Sequence, residues 1–116
     1  MDYREELERY QPKNEQEAAD KEAIEIYIRT FPDTILTREN IFAHMTASSM
    51  IFNETGDKVL MAYHNIYRSW SWTGGHADGE QDMLAVALRE ARDETGIQTL
   101  APISRELAAV DVLPVW

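Results

Sequence analysis

Apolar residues fall at helical spacing through the first thirty positions of the chain and at near-alternate spacing through its middle. Between residues 2 and 31, Ala19, Ala23, Ile24 and Tyr27 mark one helical stripe; Pro12 and Asn14 interrupt the run and Pro32 ends it. The stripe predicts a helical extension, residues 1–36, packed on the domain that follows or on a second subunit. Residues 37–42 suit one helical turn capped by Thr37. From Ala43 the period becomes extended. Residues 45–52 and 58–64 read as strands joined through Asn53-Glu-Thr-Gly-Asp57, a turn-forming cluster that predicts a hairpin. Residues 66–73 alternate Trp70 and Trp72 with Ser69, Ser71 and Thr73, as a strand with two unlike faces does. Gly74-Gly75 is expected to break that strand, and Asp78-Gly79 to prepare a helix over residues 81–95. Gly96 stands where a left-handed cap closes such a helix. A final strand is expected over residues 107–115, with Pro102 and Pro114 limiting its neighbours. No repeat, low-complexity tract or linker divides residues 37–116, which read as one domain.

Within the 81–95 helix, Leu84, Ala87, Leu88 and Ala91 are spaced to form an apolar stripe. Glu90, Asp93 and Glu94 are also related by three and four residues, so their side chains converge on another face. Met83 and Val86 extend toward this acidic face, which implies that another element partly covers it. Like charges at such spacings oppose helix formation by about 0.2–0.5 kcal/mol per pair. Asp93 and Glu94 also lie in the last turn, where the helix dipole disfavours each by roughly 0.3–1 kcal/mol. A hard divalent cation removes both penalties, and Mg²⁺ accepts a few carboxylates together with waters and phosphate oxygens. For the helix alone, the plainer account is a solvated acidic face balanced by Arg89 and Arg92. The glycines at 74 and 75 favour the cation, because they let a carbonyl or amide reach an ion or phosphate with no side chain between.

At 116 residues, with 44% hydrophobic and 28% charged residues, the chain has the size and composition of one folded domain. It has no cysteine, which removes disulfides, thiolate nucleophiles and thiolate metal sites from consideration. A formal net charge of -10 works against long nucleic acid as a partner, since phosphate backbones are held by basic surfaces. A small anionic substrate stays compatible, because a bound cation inverts the field around clustered carboxylates. The first thirty residues hold no apolar run fit for a signal peptide or membrane span, so a cytoplasmic protein with no membrane partner is expected. His44, His64 and His76 have no ligand spacing and read as turn or packing residues. Tyr63, Tyr67, Trp70 and Trp72 lie on extended segments; such residues are commonly core, but they could also stack a nucleobase.

Residues 75–97, GHADGEQDMLAVALREARDETGI, resemble the Nudix box, G-x5-E-x7-R-E-U-x-E-E-x-G-U with U aliphatic. Gly75, Arg89, Glu90, Glu94, Gly96 and Ile97 fall on its fixed positions in register. Gln81, flanked by Glu80 and Asp82, stands in place of the first glutamate; Asp93, one methylene shorter, replaces the first of the paired glutamates; Ala91 is a small aliphatic residue. The resemblance implies an α+β fold, an α/β/α sandwich around a mixed sheet, in which the box forms a loop, helix and loop binding Mg²⁺ or Mn²⁺. It further implies hydrolysis of a nucleoside diphosphate linked to another moiety. By position, Glu90 and Glu94 would be metal ligands, the Gly75 carbonyl a further ligand, and Asp93 an added ligand or a water-orienting group. Arg89 would hold the loop against the helix, a task in which the family's first glutamate ordinarily pairs with it. The departures at Gln81 and Asp93, with the short C-terminus, support the alternative of a Nudix-fold binding or regulatory module without turnover. The resemblance runs from about Ala43 to the end, and Nudix domains usually continue past this point. The apolar finish Leu113-Pro-Val-Trp116 is therefore expected to be covered, by later parts of a longer protein or by a partner subunit in a homodimer. An inactive truncated fragment is the third expectation.

Overall fold

The computed structural model describes residues 2–114 and has an α+β architecture, an N-terminal helical part followed by short antiparallel strands and one long helix. Helix α1 spans Tyr3–Arg9 and α2 spans Glu15–Thr30. Asp2 caps α1 by accepting from the Arg4 N–H, and Asn14 caps α2 by accepting from the Glu17 N–H. Each side chain satisfies a first-turn donor that has no partner within its helix. Asn14, which the sequence marks only as a break, thus starts the second helix. Residues 37–42 hold one hydrogen-bonded turn, the Asn40 N–H to the Thr37 carbonyl at 3.3 Å, but not the helical turn expected with Thr37 as its cap. Thr37 Oγ1 donates back to the Thr34 carbonyl, and Asn40 Oδ1 accepts from the Phe42 and Ala43 N–H groups. Such local side-chain bonds offer the backbone an alternative to the helix.

The strands are β1 Thr46–Ser49, β2 Ile51–Phe52, β3 Val59–Leu60, β4 Ala62–His64, β5 Ser69–Ser71 and β6 Thr73–His76. Each extended run is split at one residue, Met50, Met61 or Trp72, and its two halves pair with different neighbours. β1 pairs with β6, β2 with β3 and β4 with β5, all antiparallel; no parallel pairing occurs among the described residues. The hairpin predicted at residues 53–57 is present between β2 and β3, closed by the Asn53 N–H to the Lys58 carbonyl at 3.2 Å. Gly74-Gly75 does not break its strand. Both glycines lie inside β6, opposite Ser48 and Ala47. A side chain on residue 74 would collide with Ser48 Oγ, so glycine here permits close pairing of two strands and does not end one.

The strand expected over residues 107–115 is also absent from the described part, 107–114; Val115 and Trp116 lie outside it. This segment rests on polar side chains of the N-terminal segment. Tyr10 and Lys13 donate to the Ala108 carbonyl, and the Val110 N–H donates to Glu17 Oε2 at 3.4 Å. Single bonds to side chains supply no ladder, and a strand requires one.

Helix α3 spans Met83–Thr95 and packs against β1 and β6. The buried cluster joins Tyr3, Ile35, Ala77, Met83 and Val86, with Tyr27, Phe31, Met45 and Ala47 partly buried around it. The N-terminal segment therefore supplies core to the element that carries the acidic residues. On α3 the buried residues are Met83, Val86, Ala87 and Ala91, whereas Leu84 and Leu88 are only half-buried. The covered stripe is rotated toward the acidic side relative to the predicted one, because β1 and β6 lie there. No helix among the described residues is long and apolar enough to cross a membrane.

Two stability measurements follow from this packing. Ile35 is 2% exposed, so Ile35→Ala is expected to lower unfolding free energy by about 2–4 kcal/mol in denaturant titrations. Glu6 is half-buried, and its carboxyl is raised above the ordinary glutamate value by desolvation and then by the charge of Asp82. A raised carboxyl favours folding below its unfolded pKa and loses that contribution as pH rises through the folded value. Glu6→Gln is accordingly expected to raise the unfolding temperature at neutral pH, with the difference closing as the solution is acidified through the carboxylate range.

Candidate metal centre

Both ends of α3 are fixed by local chemistry. Asp82 accepts from the Leu84 N–H at 3.1 Å and from the Ala85 N–H, while Gly96 adopts φ 76° and returns its N–H to the Arg92 carbonyl. Val86, Glu90 and Glu94, spaced by four, then lie along one side of the helix, and that side meets β6. A Cβ added at Gly75 would sit 2.5 Å from Glu90 Cδ and 2.6 Å from Oε2. The carboxylate occupies the space that any other residue at 75 would fill. Glu94 is held one residue earlier, its Oε2 accepting the Gly74 N–H at 3.0 Å. A charge-assisted bond of this kind fixes a carboxylate's orientation.

Arg89 reaches back over the same loop, donating to the His76 carbonyl at 2.7 Å and to Glu90 Oε1 at 3.3 Å. Gln81 meets the N-terminal segment through its backbone, its carbonyl accepting the Tyr3 N–H at 2.9 Å. Glu80 accepts the Asp82 N–H and Asp82 caps the helix, so both flanking carboxylates are engaged locally. The structure thus brings together Gly75, Arg89, Glu90 and Glu94; Asp93 and Glu94 are both exposed, and of the two it is Glu94 that is bonded to the glycine strand. No group of three His, Asp or Glu side chains able to hold a metal is gathered among the described residues.

Around this centre lie groups that no sequence periodicity signals. Arg38 pairs with Asp78 across forty residues, Nε to Oδ1 and the terminal nitrogen to Oδ2, both at 3.1 Å. The rings of His44 and His76 are 5.0 Å apart, and the buried Nδ1 of His76 has no hydrogen-bond partner. Burial lowers the His76 imidazole below the ordinary histidine range, and the charges of Arg38 and His44 add to this. His64 accepts the Tyr67 N–H through Nδ1, which is the turn role expected of it. Tyr63, Tyr67, Trp70 and Trp72 are exposed rather than core, and Tyr63 meets Trp70 edge to face at 5.4 Å between ring centres.

A family model described as NUDIX domain matches residues 43–114, a span that contains the glycine pair, α3 and its carboxylates. The chain belongs to the Nudix family. No curated protein matches it. Nudix membership supports hydrolysis of small pyrophosphate-containing substrates and use of a divalent metal in general terms.

The residues of this Nudix box fit such a metal. Glu90 and Glu94 offer hard oxygen donors beside glycine backbone, and the absence of a side chain on Gly75 lets the Glu90 carboxylate lie against that backbone. Mg²⁺ is commonly held by one or two carboxylates, with waters and substrate oxygens completing its shell, so a cage of three acidic residues is not required. Gly75→Ala is expected to push Glu90 aside with little loss of fold, because a glutamate side chain is flexible. Mn²⁺ affinity by calorimetry is expected to fall on the order of tenfold; unchanged uptake would contradict this placement of the ion.

Proposed function

We propose that this Nudix chain is a metal-dependent hydrolase that cleaves the diphosphate linkage of a nucleoside diphosphate joined to another moiety. The observation that carries the proposal is the pairing of Glu90 with Gly75 and Glu94 with Gly74, which places two carboxylates against side-chain-free backbone. Glu90, Glu94 and the Gly75 carbonyl are the groups proposed to hold Mg²⁺ or Mn²⁺. When bound, the metal supplies charge neutralisation of the diphosphate and a lowered pKa for the attacking water.

The chain's own residues do the remaining work. Arg89 fixes the loop through the His76 carbonyl and offsets the charge of Glu90. Asp93, being exposed, is suited to an added ligand through water or to orienting water. Tyr63 and Trp70 present aromatic surface on which a nucleobase can stack, a contact that tolerates different bases. The formal charge of -10 favours a small substrate that arrives with its cation over a polymeric phosphate backbone. A cytoplasmic location and a homodimer belong to the same proposal; the exposed Phe52, Val59 and Leu113 favour an interface.

A Nudix module that binds without turnover is the second reading, favoured by the lack of a three-residue acidic group among the described residues. One experiment separates the two. A panel of nucleoside diphosphate derivatives is incubated with and without Mg²⁺ or Mn²⁺, and released phosphate or nucleotide is measured for the parent chain and for Glu94→Gln. The expected outcome is metal-dependent release that drops by roughly a hundredfold or more in the variant, beyond the loss typical of a residue that only orients a ligand. Binding without release would establish the module, and full activity in Glu94→Gln would remove the carboxylate from the mechanism.

A further inference from the structure

The loop between β6 and α3 is held largely from outside the box. The Ala77 N–H donates to the Met45 carbonyl at 3.1 Å, the Gly79 N–H to the Leu36 carbonyl at 2.9 Å, and the Tyr3 N–H to the Gln81 carbonyl at 2.9 Å. Between these contacts, Asp78 and Gly79 are both left-handed, with φ 49° and 91°. Glycine adopts this conformation freely, but Asp78 does so at a cost and keeps it only where its surroundings impose it. The Arg38 guanidinium is placed to impose it, gripping both oxygens of Asp78 at 3.1 Å.

We infer that Arg38 is a positioning residue for the proposed hydrolysis: through Asp78 it holds the left-handed turn that sets the Gly75 and His76 backbone against Glu90 and Arg89. The inference rests on the metal-centre reading above. Its physical content is local. The two side chains are 61% and 47% exposed, and an exposed ion pair adds little to global stability. A bidentate fork nonetheless fixes direction as well as distance, which a single lysine bond cannot do. Loop backbone displaced by a fraction of an ångström moves the Gly75 carbonyl and the His76 carbonyl that anchors Arg89.

The test compares Arg38→Ala, Asp78→Asn, the double variant and Arg38→Lys, with two readouts. Amide hydrogen exchange of the metal-free protein reports the loop directly. Arg38→Ala and Asp78→Asn are each expected to speed exchange at Ala77 and Gly79 while protection within α3 stays unchanged. In turnover assays each is expected to lower kcat on the order of tenfold with KM little altered. The double variant should be no worse than either single change, because both remove one interaction, and Arg38→Lys should recover part of the loss. Unchanged loop exchange in both single variants would overturn the inference. So would losses that multiply in the double variant, or a rise confined to KM, since either result would put Arg38 on the substrate itself. Exchange needs no turnover, so an inactive parent protein would end the hydrolase proposal while the loop measurement still judged Arg38.

Discussion

Glu90 lies in the volume that a side chain on residue 75 would need, and much of the site follows from that exclusion. Because residue 75 is glycine, α3 can bring a carboxylate onto the strand backbone, and the next turn can deliver Glu94 to the Gly74 amide. With a side chain at 75, Glu90 could not keep this position. Side-chain volume is the constraint, and electrostatics act within the geometry that it allows. Two carboxylates one turn apart repel, and Arg89 offsets that repulsion for Glu90 only in part, at 3.3 Å and partly exposed. Use of a divalent cation, in general terms, is what the Nudix membership of residues 43–114 supports.

The N-terminal segment belongs to this site in a physical sense. Tyr3 and Ile35 share a buried cluster with Ala77, Met83 and Val86, which flank the loop and begin the helix. Backbone amides at residues 3, 77 and 79 tie the same loop to segments before or at the start of the matched span. A box whose first glutamate is replaced by Gln81 thus has its loop fastened by Arg38, Leu36, Met45 and Tyr3, together with the bond from Arg89 to the His76 carbonyl. Burial drives the helices onto the loop, and the directional bonds then fix its conformation.

Several features were legible in the sequence because they depend on neighbours along the chain. The two N-terminal helices, the break at Asn14, the hairpin at residues 53–57, and α3 with its Gly96 cap all follow from caps, turn formers and periodicity over fewer than twenty residues. The grouping of Glu90 and Glu94 with Gly75 followed from helical spacing and from the register of the box. The partial cover of the acidic face was visible too, in Met83 and Val86, both of which are buried.

Only the tertiary structure decided the rest, because those outcomes depend on what lies across a gap and not along the chain. Gly74-Gly75 looks like a strand break in isolation and becomes strand once Ser48 and Ala47 lie opposite. Residues 107–114 look like a strand and have no ladder because they meet side chains of the N-terminal segment instead of another strand. Thr37 looks like a cap and turns back on Thr34. The pairing of Arg38 with Asp78 spans forty residues and leaves no periodic trace, and helical spacing alone does not say that Glu94 is bonded to the Gly74 amide. Local sequence set the residue types and the helix that carries them; the close approach of a glycine strand determined which of those carboxylates lie against backbone.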